Sequence, residues 1–116
     1  MATLARELEA LERLHSQFGF SYAQLARALN TSEPTVHRWR RGDSGEPTPV
    51  YLKRLEALEA FLQELDELFA SKGAAAAWLD KSLSVLKDRT PRAMILEGHV
   101  DRVTGVLYAL NAGVSL

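Results

Sequence analysis

Cysteine is absent from the 116-residue chain. That excludes a disulfide framework and any thiolate metal site, and it fits an intracellular, cytoplasmic protein. No apolar run approaches the length of a transmembrane helix. The start lacks a basic stretch followed by an unbroken apolar run, so neither a signal peptide nor a membrane partner is expected. Charge of one sign is also missing. The formal net charge is -1, and residues 1–50 hold six arginines against six acidic residues. Binding to nucleic acid would therefore have to rest on a local cluster and not on a general basic field. Catalytic constellations are scarce too. His15, His37 and His99 are widely separated, and none is followed by a second metal ligand three or four residues on. Glu97 and His99 are two apart, the wrong spacing for one helix face. Gly42 and Gly45 are linker glycines, not a phosphate loop, and Ser115 has no visible base. We expect no enzyme, no metal and no cofactor. What is present is a 47% apolar composition, enough for a real core in one compact domain, or in two very small ones sharing a helix.

Residues 21–42 organise the chain. Tyr22 to Leu29 carries Leu25, Ala26 and Leu29 at helical spacing, with Ser21 as N-cap. Glu33 to Arg41 carries Val36 and Trp39 three apart, with Ser32 as N-cap and Pro34 in the first turn, where a missing N–H costs nothing. Asn30-Thr31 lies between them, and Asn30 can take the left-handed conformation usual for glycine. This is helix-turn-helix spacing. Ala26 falls where only a small side chain fits at a helix crossing. If Leu25, Val36 and Trp39 face in, Glu33, Pro34, His37, Arg38 and Arg41 face out, and arginine can bond a guanine edge through two atoms. The predicted DNA contacts are Ser32, Glu33, Thr35, His37, Arg38 and Arg41. The stretch resembles the Xre/Cro-type helix-turn-helix family, in which a small Ala, a turn, a buried Val and a Trp or Ile recur at these offsets.

On either side the pattern is helical. Residues 3–18 form an amphipathic helix with Leu4, Leu8, Leu11, Leu14 and Phe18 on one face and Arg6, Glu7, Glu9, Glu12 and Arg13 on the other. Residues 42–49, GDSGEPTP, read as a linker. From Pro49 to about Ser71, Tyr51, Leu55, Leu58, Leu62, Leu65 and Phe69 form a heptad seam, which predicts a homodimer. Gly73 is read as a C-cap. The Ala-rich stretch that follows favours helix, with Trp78 and Leu79 facing inward. Leu83, Val85 and Leu86 fall in an irregular stretch or brief turn. Thr90-Pro91 opens a short helix to Glu97 that buries Met94 and Ile95. A last helix runs from His99 to about Asn111, with Val100, Val103, Leu107 and Leu110 inward. The fold class is all-α, divided as 1–48 (helix-turn-helix), 49–72 (long connecting and dimerisation helix) and 73–116 (small helical domain).

The order of Trp78-Leu79, Leu86, Thr90-Pro91, a short apolar helix to Gly98 and a helix closing on Gly113 resembles the toxin-binding domain of the Xre/MbcA/ParS antitoxin family. That family also places an Xre-type helix-turn-helix ahead of it, so the resemblance covers about residues 18–116. Two positions depart from the pattern. Ser82-Leu83 replaces the family's Pro-Asn after the Trp, and Lys87-Asp88-Arg89 stands where a Gly is usual before the Thr-Pro. The resemblance implies an Xre/Cro-like bundle joined by a long helix to a toxin-binding domain. It implies an antitoxin that binds its operator DNA and neutralises a RES-domain, NAD-consuming toxin encoded by an adjacent gene. The tail residues Asn111, Gly113, Val114, Ser115 and Leu116 would contact that toxin. The alternative is a stand-alone Xre-type regulator whose C-terminal half serves dimerisation or ligand binding.

Overall fold

The computed structural model describes residues 4–43 and 47–115. Thr3 of the first expected helix, linker residues 44–46 and Leu116 lie outside the described residues. The chain is all-α. In order it forms α1 (Ala5–Phe18), α2 (Tyr22–Ala28), α3 (Glu33–Arg41), α4 (Pro49–Leu68), α5 (Lys72–Leu79), a 3-10 turn (Ser84–Leu86), α6 (Pro91–Leu96) and α7 (Val100–Asn111). Two compact units divide it, residues 1–59 and 60–116, with the boundary inside α4. No described helix is long and apolar enough to cross a membrane.

In the first unit α1 lies beneath a helix-turn-helix. Ala10, Leu11, Leu14 and Phe18 of α1 are buried, as are Leu25, Ala26, Leu29, Val36 and Trp39. Ser21 accepts from the Gln24 N–H while Gln24 Oε1 accepts from the Ser21 N–H, a complete capping box. Ser32 caps α3 through the Thr35 N–H. Asn30 has φ 55°, and the Thr31 N–H reaches back to the Ala26 carbonyl at 2.9 Å, so asparagine performs the left-handed helix stop that glycine usually supplies. The start of α4 completes this unit. Arg54 Nη1 donates to the Leu29 carbonyl at 3.0 Å, Tyr51 Oη donates to the Asn30 carbonyl at 3.4 Å, and the Tyr51 ring lies 5.6 Å from that of Trp39.

The second unit buries Phe61, Leu62 and Leu65 of α4 with Ala75, Leu79, Leu86, Met94, Ile95, Val103, Val106 and Leu107. Trp78 is half-buried and sits 5.9 Å, ring to ring, from Phe69. Thr90 Oγ1 accepts the Ala93 N–H at 3.0 Å, with Pro91 opening α6. Arg92 pairs with Asp80 at 2.8 Å, and Arg89 pairs with Glu97.

Several expectations are corrected. The long helix ends at Leu68, and Gly73 lies inside α5, because the Ser71 side chain caps that helix by accepting from the Ala74 N–H. Of the heptad seam, Leu55, Leu58, Leu62 and Leu65 are buried within the single chain, while Tyr51 and Phe69 are half-buried. The stretch around Leu83, Val85 and Leu86 is a 3-10 turn that buries Leu86 and leaves Val85 exposed. Lys87 and Asp88, standing where the antitoxin pattern has glycine, have φ 58° and 64°. The left-handed turn is thus made without glycine, at a steric cost of about 1–2 kcal/mol per residue. Glu7, assigned to the polar face of α1, is only 8% exposed, and its Oε2 has no hydrogen-bond partner among the described residues. Its spacing to Leu11, Leu14 and Phe18 puts it on the buried face. Leaving a buried polar atom unsatisfied costs about 1–3 kcal/mol. Glu7→Leu is therefore expected to raise unfolding stability by about that amount, read from urea denaturation. A loss of stability would show that the carboxylate has a compensating partner.

Candidate nucleic-acid interface and C-terminal tail

The buried positions of α3 fix what it presents. With Val36 and Trp39 inward, the 100° step of a helix turns Pro34, His37, Arg38 and Arg41 away from the core. Arg38 and Arg41 are exposed, and three basic residues lie in the last turn of α3. Of the residues assigned to DNA contact, Ser32 Oγ is shared between the Thr35 N–H and the Thr35 hydroxyl, the latter at 2.8 Å. Arg38 Nη2 donates to Thr35 Oγ1 at 2.9 Å. Arg41 pairs with Asp43 at 2.6 Å, and Glu33 with His37 at 3.3 Å. Ser32, Thr35 and Arg38 are thus linked to one another, Glu33 to His37, and Arg41 to Asp43, all by short local bonds.

Arg40 behaves differently. It points along the flank of α3 toward α1 and α2, where it pairs with Glu12 and lies 4.1 Å from the Tyr22 ring centroid. Tyr22 donates its hydroxyl to the other Glu12 oxygen at 2.7 Å. The His15 ring stacks on Tyr22 at 3.9 Å, and its Nδ1 lies 2.7 Å from the Phe20 carbonyl. His37 meets the Tyr22 edge at 5.0 Å, and its Nδ1 lies 3.0 Å from Arg40 Nη1. Three helices are thereby joined at one polar node. Sequence spacing gave no sign of it, since Glu12 and Arg40 are 28 residues apart. Burial pushes the Glu12 carboxyl up, but the hydrogen bonds from Arg40 and Tyr22 and the charges of Arg40 and His15 hold it below the ordinary 4.5. Burial and the Glu12 carboxylate together raise the Tyr22 phenol above its usual value.

The tail residues lie in the other unit. Asn111 Nδ2 donates to the Glu64 carbonyl at 3.0 Å, which ties the last turn of α7 to α4. Gly113 has φ 85°, and the Val114 N–H returns to the Ala109 carbonyl at 2.9 Å. This glycine stop bends the chain out of α7, leaving Val114 and Ser115 exposed. Asn111 is therefore engaged within its own unit, while Gly113 sets the exit direction and Val114 and Ser115 are presented. Leu116 lies outside the described residues. Among the described residues no group of three or more histidines and carboxylates could hold a metal ion.

Residues 1–50 match a homeodomain-like domain. Over 100% of its length the chain is similar to a chain from the crystal structure of the M. tuberculosis MbcT–MbcA toxin–antitoxin complex, itself covered over 100% of its length, with 26% identity and a TM-score of 0.71. No curated protein sequence matches.

The polar node yields a pH dependence. Glu12 has a folded pKa below its ordinary value. Its contribution to stability is therefore present above the unfolded pKa and lost as pH falls through the folded one. Thermal unfolding from roughly pH 6 to pH 3 is expected to show a steeper acid loss for the wild type than for Glu12→Gln. Parallel curves would mean that the Glu12–Arg40–Tyr22 node adds nothing to folding in solution.

Proposed function

We propose that the chain is an antitoxin that neutralises a RES-type, NAD-consuming toxin and represses its own operon by DNA binding. The observation that carries this reading is the full-length likeness to a chain of a toxin–antitoxin complex, with both an outward basic helix and an exposed C-terminal tail on the same polypeptide. On this reading α3 enters a major groove. Arg38 and Arg41 read base edges, and Ser32, Glu33, Thr35 and His37 supply the remaining contacts. Arg40, held by Glu12 and Tyr22, braces the helix. Two copies would place their α3 helices about 34 Å apart on an imperfect palindrome. Because the α4 leucines are buried in the single chain, the contact between copies would lie on other residues.

At the other end, Gly113 directs Val114 and Ser115 away from α7. The exposed apolar Val114 at the head of that tail suits entry into the cleft in which the toxin would hold its dinucleotide. Occupying that cleft would block substrate entry.

Arg38→Ala or Arg41→Ala should each weaken operator binding by about 1–3 kcal/mol where the side chain makes a two-point base contact. Gel-shift titration on the upstream region measures this, and unchanged affinity and sequence preference in the double mutant would refute the assignment. Deleting residues 114–116 should restore NAD consumption by the co-expressed neighbouring toxin while DNA binding stays intact. Full protection by the truncated chain, read from growth and cellular NAD, would place inhibition elsewhere on the antitoxin.

A further inference from the structure

We propose that the groove beside α7 is a second, independent contact for the toxin, one that sets affinity while the tail sets inhibition. This rests on the antitoxin reading above. The groove is open and apolar, about 240 Å³, and is lined by Val85, Leu86, Arg102, Gly105, Val106 and Ala109. Three features mark it as kept open for a partner.

The first is Gly105. It lies inside α7, has no left-handed φ, and a Cβ built on it would meet nothing within 4 Å. Glycine inside a helix is destabilising relative to alanine, and nothing within this chain requires it here. A bare backbone on an exposed helix face allows a partner's backbone to approach closely. The second is apolar exposure. Val85 is 42% exposed, Tyr108 68% and Val114 50%. Val85 belongs to the turn held by the left-handed pair Lys87 and Asp88. Tyr108 follows Gly105 at i+3 on the same helix face, and Val114 begins the tail that leaves α7. Groove and tail therefore share one helix, so a toxin engaged by the tail lies within reach of the groove. The third is charge. Of the three arginines in residues 60–116, Arg89 and Arg92 are paired with Glu97 and Asp80, whereas Arg102 on the groove wall has no ion pair among the described residues. The occupant that fits is a toxin segment with an apolar side chain to seat between Val85 and Val106 and a carboxylate to meet Arg102.

The test titrates the purified product of the toxin gene adjacent to this chain's own gene against four full-length antitoxins: wild type, Gly105→Gln, Arg102→Glu and a chain lacking residues 114–116. Gly105→Gln should melt no lower than the wild type yet bind roughly tenfold or more weakly, and Arg102→Glu should lose affinity similarly. The tail deletion should keep most of the affinity and lose inhibition. Unchanged affinity in both groove variants, with the wild type binding, would overturn the groove contact and leave the antitoxin reading standing. No binding by the wild type would overturn both. If Gly105→Gln instead abolishes self-association in light scattering while toxin affinity holds, a second copy occupies the groove and the proposal fails.

Discussion

Burial of Trp39 is the constraint on which the presentation of α3 depends. A helix of nine residues cannot hold its own orientation by hydrogen bonding alone, since short helices are marginal in water without tertiary packing. Trp39 supplies that packing. It is buried with Val36 on one side of α3, and the Tyr51 ring of α4 lies against it. Tyr51 and Arg54 also take the carbonyls of Asn30 and Leu29 at the α2–α3 turn. The first turns of α4 are therefore part of the helix-turn-helix and not merely its exit. Once Trp39 is inward, the placement of Arg38 and Arg41 outward follows from helical geometry without any further contact. Removing the indole would empty the core beneath the turn and free the rotation that aims those arginines.

Much of this arrangement was legible in the sequence because it is local. N-caps, first-turn prolines and the left-handed Asn30 act within four or five residues, and Ser21, Ser32, Thr90 and Pro91 all work as their chemistry suggests. The apolar stripe of α1 was also readable, yet Glu7 was assigned by its charge when its spacing to Leu11 and Leu14 put it inside. Residue type was allowed to outweigh period. The end of α4 was missed for a similar reason. Gly73 looked like a stop, but Ser71 two residues earlier is a start, and a side-chain cap decides a boundary that a glycine merely permits. The heptad in α4 was read correctly as a buried face, but periodicity cannot say whether the covering surface comes from the same chain or another. Here the same chain covers it. The Glu12–Tyr22–Arg40 node was beyond reach, because it joins three helices whose packing no spacing rule reports.

The Lys87-Asp88 turn in the second unit shows how a left-handed backbone is held without glycine. Lys87 and Asp88 hold positive φ in a segment closed by the Leu83–Arg89 bridge, with the Leu83 N–H bonded to the Arg89 carbonyl at 3.1 Å and the Asp88 N–H to the Leu83 carbonyl at 2.9 Å. These bonds and the buried Leu86 over-determine the turn, which is the condition under which unfavourable backbone conformations survive. The pattern to seek in such a segment is the hydrogen-bonded closure, not the glycine.

The charge balance of the first 50 residues now has a structural meaning. Six arginines and six acidic residues suggest a neutral surface, but neutrality is unevenly distributed. Glu12 is spent on Arg40, away from the outward face of α3. Arg27 on α2 is exposed and has no ion pair among the described residues. Arg41 is joined to Asp43 by a pair in which both side chains are more than half exposed, and such surface pairs contribute little and exchange readily. Glu12 thus cancels the arginine that braces α3, whereas Arg27 and Arg38 have no ion pair among the described residues and Arg41 is held only weakly. A protein of net charge -1 can in this way present a small basic face to DNA. With few phosphates neutralised, its binding would depend on salt less steeply than that of a uniformly basic protein. More of its discrimination would then have to come from base-edge contacts and the spacing of paired sites.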